Sequence, residues 1–169
     1  MSGVVSNATP LIYLAKIGKI DLLRKVFKEV FIPEEVKVEA VDEGKKLGEK
    51  DAYIIEKAIN DGWLKVLTVV PIDVPVKLER GEIAVLSLAK SLGVKEVLID
   101  EVSARTVARL LGLIPRGTIF ILLKALEIKE IDFNEFLKCL GELVNQGFRL
   151  REEIYLEAIR KARRIVKEP

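Results

Sequence analysis

Apolar residues fall in short bursts, separated by longer stretches in which they recur every third or fourth position. The bursts are Val4-Val5-Ser6, Val30-Phe31-Ile32 closed by Pro33, and Val97-Leu98-Ile99. An alternating run over 63–70 and the minimal pair Ile114-Pro115 join them. Short apolar runs bounded by turn residues predict strands buried on both faces. Between them, Thr9-Pro10 reads as an N-cap with proline at the first helical position, opening a helix through Ile17. A short helix over 20–27 follows, and Pro33 begins another that carries Val36, Val38 and Glu39 towards Glu43. Residues 45–50 are charged and broken by Gly48, which predicts a loop. Helix resumes over 51–59 until Asp61-Gly62 ends it, and 71–75, proline at both ends, predicts an extended connector. Further helices are predicted over 80–92, 102–111, 118–128 (capped by Gly117-Thr118), 133–146 and 151–166. Alternation of strands with helices predicts a three-layer α/β/α sandwich around a central parallel sheet, with a helical C-terminus. With no repeat or linker, residues 1–169 form one domain, a core through 130 followed by the helices of 131–169.

Composition narrows the chemistry. Half of the 169 residues are hydrophobic and 32% are charged, which suits a packed core. The net charge of +2 gives no global field for nucleic acid, so any such binding needs a local patch. Histidine is absent and Cys139 is the lone cysteine, which excludes His-based catalysis, His-ligated metals and disulfide frameworks. A reducing, cytoplasmic setting is expected. No apolar run reaches the roughly 20 residues of a membrane span, and Met1-Ser2-Gly3 lacks the basic start of a signal peptide. Lys and Glu abound while Gln146 is the sole glutamine, a thermophile's bias.

The acids carry what chemistry remains. Strand Val97–Ile99 stops on Asp100-Glu101, and Gly81-Glu82 opens the helix before it. Acids at a helix start and at a strand's end can meet at the carboxyl edge of a parallel sheet, where open α/β folds place ligands. Oxygen donors without histidine favour Mg²⁺ or Mn²⁺ over zinc. Each acid also has a plain structural reading. Glu82 and Glu101 suit the first turn of a helix, Asp100 suits a cap, and Glu39 sits on a charge-rich helix face. Neither a phosphate-binding glycine loop nor a G-x-S-x-G elbow occurs.

Val4-Val5-Ser6-Asn7-Ala8-Thr9-Pro10-Leu11-Ile12, continued by Leu14-Ala15-Lys16-Ile17-Gly18, resembles the opening of PIN-domain proteins, particularly a prokaryotic branch close to VapC-type toxins. Similarity continues in Ile32-Pro33-x-x-Val36-x-x-Glu39, Gly81-Glu82-x-Ala84, Leu98-Ile99-Asp100-x-x-x-Ala104-Arg105, Gly112-Leu113 and Gly117-Thr118. The resemblance implies a nuclease-like core with Glu39, Glu82 and Asp100 as catalytic acids. It implies Mg²⁺ or Mn²⁺ held by Asn7, Glu39, Glu82 and Asp100, and Glu101, adjacent to Asp100, is expected to join them and compensate in part for the neutral Asn7. Thr9 and Thr118 are then expected to contact substrate, and so are Arg105 and Arg109, which sit four apart on one face of the helix after Asp100 and can hold an RNA backbone. Where relatives have a first aspartate, this chain has Asn7. An amide oxygen can ligate a metal but brings no charge, and a unit charge pair at 4 Å is worth about 4 kcal/mol at an effective dielectric of 20.

The leading expectation is therefore a metal-dependent endoribonuclease acting on single-stranded or structured RNA, with an antitoxin protein as partner. The rival is a catalytically weak RNA- or protein-binding module, which Asn7 favours. A generic α/β ligand-binding domain is the third reading. The apolar residues Leu11, Ile12, Leu14, Ile17, Leu22, Leu23 and Phe27 further suggest a homodimer through helix faces.

Overall fold

Five parallel strands pair in the order β3-β2-β1-β4-β5: β1 Gly3–Ser6, β2 Glu29–Pro33, β3 Leu64–Leu67, β4 Glu96–Leu98 and β5 Ile114–Arg116. The computed structural model describes residues 3–167. Val5 lies centrally, in register with Phe31 on one side and Val97 on the other. Val4 and Val5 point to opposite faces and both are fully buried, so helices cover the sheet on both sides. This is the expected α/β/α sandwich.

The strand order places a switch at the centre. From β1 the chain winds outward to β2 and β3, then crosses back to β4 on β1's other side. The carboxyl ends of β1 and β4 thus open a crevice, the place where ligands bind in such sheets. Asn7 leaves β1 there, its backbone N–H donating to the Leu98 carbonyl at 2.9 Å. Ile99 extends the opposite ladder, donating to the Arg116 carbonyl at 2.9 Å, and delivers Asp100 beside the start of the next helix.

The helices are α1 Ala8–Lys16, α2 Leu22–Val26, α3 Glu34–Lys37, α4 Gly44–Lys46, α5 Lys50–Asn60, α6 Arg80–Leu92, α7 Val102–Leu110, α8 Thr118–Glu127, α9 Phe133–Asn145 and α10 Glu152–Lys167. Some differ from the sequence reading. Asn7 rather than Thr9 is the N-cap of α1, so Pro10 sits inside the first turn, where its missing N–H costs no hydrogen bond. The helix after β2 does not stop near Glu43. It passes through a π-helical stretch, Val38–Glu43, into α4, so Lys45 and Lys46 are helical. Gly44 permits this, because a methyl there would meet Ala52 Cβ of α5 at 2.8 Å. β3 ends at Leu67, short of the predicted Val70.

Leu11, Leu14, Ile17, Leu22, Leu23 and Phe27 are all buried in the core, and Ile12 packs against it. The helix faces proposed for dimerisation are therefore spent inside the chain. A dimer would need other surface. No helix among the described residues is long and apolar enough to cross a membrane.

Candidate functional site

Asn7 has the position of a cap but does not cap. Its backbone is extended at φ −78°, ψ 173°, and its side chain accepts no hydrogen bond from α1. Asparagine at an N-cap ordinarily satisfies a free helix N–H. Here Oδ1 turns towards the start of α6: a methyl built on Gly81 would lie 3.5 Å from it and 3.7 Å from Glu39 Oε1. Gly81 is the floor that Asn7 and Glu39 both approach. Glu39 reaches it from the first turn of the π-helical stretch.

Glu82 lies one residue on, nearly buried. It closes a capping box, Oε1 accepting the Glu79 N–H at 3.0 Å. The structural reading of Glu82 is thus real, yet one carboxylate oxygen is left for other work.

Asp100 is held more firmly. Its Oδ1 accepts the Thr118 N–H at 2.9 Å and its Oδ2 accepts the Thr118 hydroxyl at 2.8 Å. Gly117 leaves room for this, since a methyl there would sit 2.9 Å from Asp100 Oδ1 and 3.1 Å from Arg105 Nη1. Thr118 is fully buried. Its expected contact with substrate gives way to a different role, fixing the orientation of Asp100. Arg105 is half-buried beside the same carboxylate and donates to the Ile99 carbonyl at 3.1 Å, so it is anchored to the site's frame.

Glu101 joins the two halves. Thr9 Oγ1 donates to Glu101 Oε1 at 3.4 Å, linking the start of α1 to the N-cap of α7. The Glu101 charge acts on Glu39, Glu82 and Asp100 alike. All three have pKa values raised above the ordinary range, in each case chiefly by burial. Glu79, Glu43, Glu101 and Glu82 add repulsion at Glu39. At Glu82 the Glu79 N–H pulls the other way, while Glu101 and Glu79 push up. The two Thr118 hydrogen bonds, and more weakly Arg105, offset burial at Asp100 without cancelling it. Arg105 itself is lowered, by burial first and then by the Arg109 and Arg116 charges. Among the described residues no three acidic side chains stand close enough to cage a metal ion.

A family model for the PIN domain matches residues 3–164. The chain belongs to the PIN domain family. Comparison with curated proteins and with solved structures returned no match. PIN domains have a nuclease-type fold, are generally hydrolases, and typically use divalent metal ions. In this PIN domain the sequence-picked residues Asn7, Thr9, Glu39, Glu82, Asp100, Glu101 and Arg105 all reach the carboxyl edge of the sheet. Arg109 is exposed in the last turn of α7, one turn beyond Arg105, whose pKa its charge lowers.

Two participants escaped the sequence reading. Glu79 partners Glu82, and its signal was the E-x-x-E spacing at a helix start. Arg116, at the end of β5, lies over the Phe120 ring at 4.4 Å and pairs with Glu96 at 3.2 Å. Its link to the site is its charge on Arg105, and that placement follows from the β4–β5 pairing, which local sequence does not display.

Proposed function

We propose that this PIN domain is a metal-dependent endoribonuclease hydrolysing phosphodiester bonds at the β1–β4 crevice. The observation that carries the reading is the convergence of Glu39, Glu82 and Asp100, from three separate crossovers, within reach of the single charge on Glu101. Structural ion pairs would offset such charges. Here burial, with repulsion from neighbouring acids as a lesser cause, raises the pKa values of all three, a cost that a divalent cation removes.

The donor set suits Mg²⁺ or Mn²⁺. It consists of oxygen alone, and Mg²⁺ takes one or two protein carboxylates while keeping several waters and substrate oxygens. Asn7 and Glu39, which both approach Gly81, would hold the cation, with Glu82, Asp100 and Glu101 as nearby negative charge. When bound, it supplies neutralising charge at the phosphate and lowers the pKa of a coordinated water. The chain's own part is orientation. Thr118 locks Asp100, the capping box locks Glu82, and Thr9 steadies Glu101.

Incubation with an RNA pool in Mn²⁺, against an EDTA control and the Asp100→Asn variant, tests the reading. Cleavage confined to the parent in Mn²⁺ supports it, and cleavage that survives Asp100→Asn sinks it. One observation favours the rival: Asn7 is neutral at the position where the resemblance calls for an aspartate. RNA binding without cleavage at any Mn²⁺ concentration would decide for a binding module. The toxin role rests on the resemblance to VapC-type proteins. Expression in a bacterial host should arrest growth with the parent and not with Asp100→Asn.

A further inference from the structure

Beside the acids opens a cleft of about 1090 Å³. It starts at Thr9, Asp100 and Glu101, runs past the β5–α8 junction, and ends between the loop over 147–151 and α10. That size lies at the top of the roughly 300–1,000 Å³ range of ligand pockets, which leaves room for an extended ligand. Its walls combine two features that rarely share a core surface. Tyr13, Phe120 and Phe148 present aromatic rings, with Phe148 edge-on to Tyr13 at 5.2 Å between centroids. Arg149, Arg151 and Lys161 line the same space and make no ion pair among the described residues.

Glu157, the acid of α10 that lines the cleft, is already bound by Arg160 at 3.3 Å. The unpaired cations therefore await charge from outside the chain. Phosphates would answer the cations, and exposed base faces would answer the rings. A duplex keeps its bases paired and stacked within, so it can offer the phosphates but not the faces. We infer that this cleft is a base-binding track for a single-stranded nucleic acid segment flanking the scissile phosphate. Arg149 and Arg151 grip the backbone, and Phe148 stacks against a base. The inference rests on the ribonuclease reading for the position of that phosphate.

Binding can be read without catalysis. Fluorescence anisotropy in EDTA with a labelled 12-nucleotide single-stranded RNA, and with the same RNA annealed to its complement, measures affinity alone. The parent should bind the single strand more tightly. The exposed double variant Arg149→Gln/Arg151→Gln should weaken it at least about tenfold and make its salt dependence shallower by about 1.4 in log–log slope, two phosphate contacts' worth. Phe148→Leu keeps the charge and an apolar side chain; it should weaken binding about tenfold with the slope unchanged. Arg163→Gln/Arg164→Gln, on α10 but outside the cleft, is the charge-matched control and should change little. Thermal unfolding of each variant confirms that it folds.

Equal affinity for duplex and single strand, or equal loss in the control, overturns the track. So does absence of RNA binding, and a polyglutamate peptide bound in its place would assign the cleft to an acidic protein. Single-strand binding that follows the pattern above, with no cleavage in Mn²⁺, would leave the track standing and remove the nuclease reading instead.

Discussion

At the scale of single residues the site depends on what Asn7 lacks and what Gly117 leaves empty. Asn7→Asp adds a charge where Oδ1 already shares the floor of Gly81 with Glu39 Oε1. Since an attraction of about 4 kcal/mol is available before desolvation, Mn²⁺ affinity should rise by at least about tenfold and cleavage should accelerate. Unchanged affinity by calorimetry would mean that position 7 is no ligand. Gly117→Ala acts in the other direction. Its backbone is ordinary extended chain (φ −103°, ψ 178°), so the cost is purely one of space. The new methyl would press on Asp100 Oδ1, which the Thr118 N–H holds while the Thr118 hydroxyl holds Oδ2, and on the anchored Arg105. Overpacking of this kind costs about 1–3 kcal/mol, and Asp100 must turn out of its clamp. A melting point lowered by several degrees with weaker cleavage is expected; an unchanged melting point would show the site to be softer than its hydrogen bonds imply. Residue types and their places at a helix start and a strand end pointed to Glu82, Asp100 and Glu101, whereas Glu39, on a charge-rich helix face, came only from the family resemblance. Residue types did not disclose Thr118, whose partner lies 18 positions away and becomes a neighbour only through the pairing of β4 with β5.

The elements show the same division between what is local and what is not. Apolar bursts and proline or glycine punctuation mark every strand and nearly every helix, since burial on both faces and chain reversal each leave a local trace. The π-helical stretch leaves none; Val38 to Glu43 reads as ordinary helix. Nor does the continuation through Gly44, where the sequence suggests a break and packing overrules it. That overruling can be tested. Alanine is the better helix former by about 1 kcal/mol, so propensity alone predicts that Gly44→Ala stabilises. A methyl 2.8 Å from Ala52 Cβ has no flexible neighbour to displace, and overpacking of about 1–3 kcal/mol should win. Thermal denaturation should show a lower melting point for Gly44→Ala and recovery in Gly44→Ala/Ala52→Gly. A higher melting point for the single variant would mean that α4 and α5 move apart freely.

For the whole molecule, strand order was the decisive unreadable fact, because it alone brings β1 and β4 together and sets Asn7 beside the acids of three crossovers at one edge. The gathering should be visible in stability. An acid whose pKa is raised by folding holds its proton more tightly in the folded chain. Its contribution is full below the unfolded carboxylate range, about pH 4, and is lost as pH rises through the folded value. Glu39, Glu82 and Asp100 all have this sign. The chain carries many other acids, so the site must be isolated by difference. In EDTA, Glu82→Gln/Asp100→Asn should melt above the parent at pH 7, with the gap closing towards pH 4. Divalent metal should reverse the order. At a hundredfold excess over its dissociation constant Mn²⁺ adds about 2.7 kcal/mol, or about 5–10 °C for a chain of this size, to the parent and far less to the variant. A gap that stays constant from pH 4 to 7 and ignores Mn²⁺ would mean that these carboxylates serve as helix caps alone, and the crevice would lose its claim to a metal.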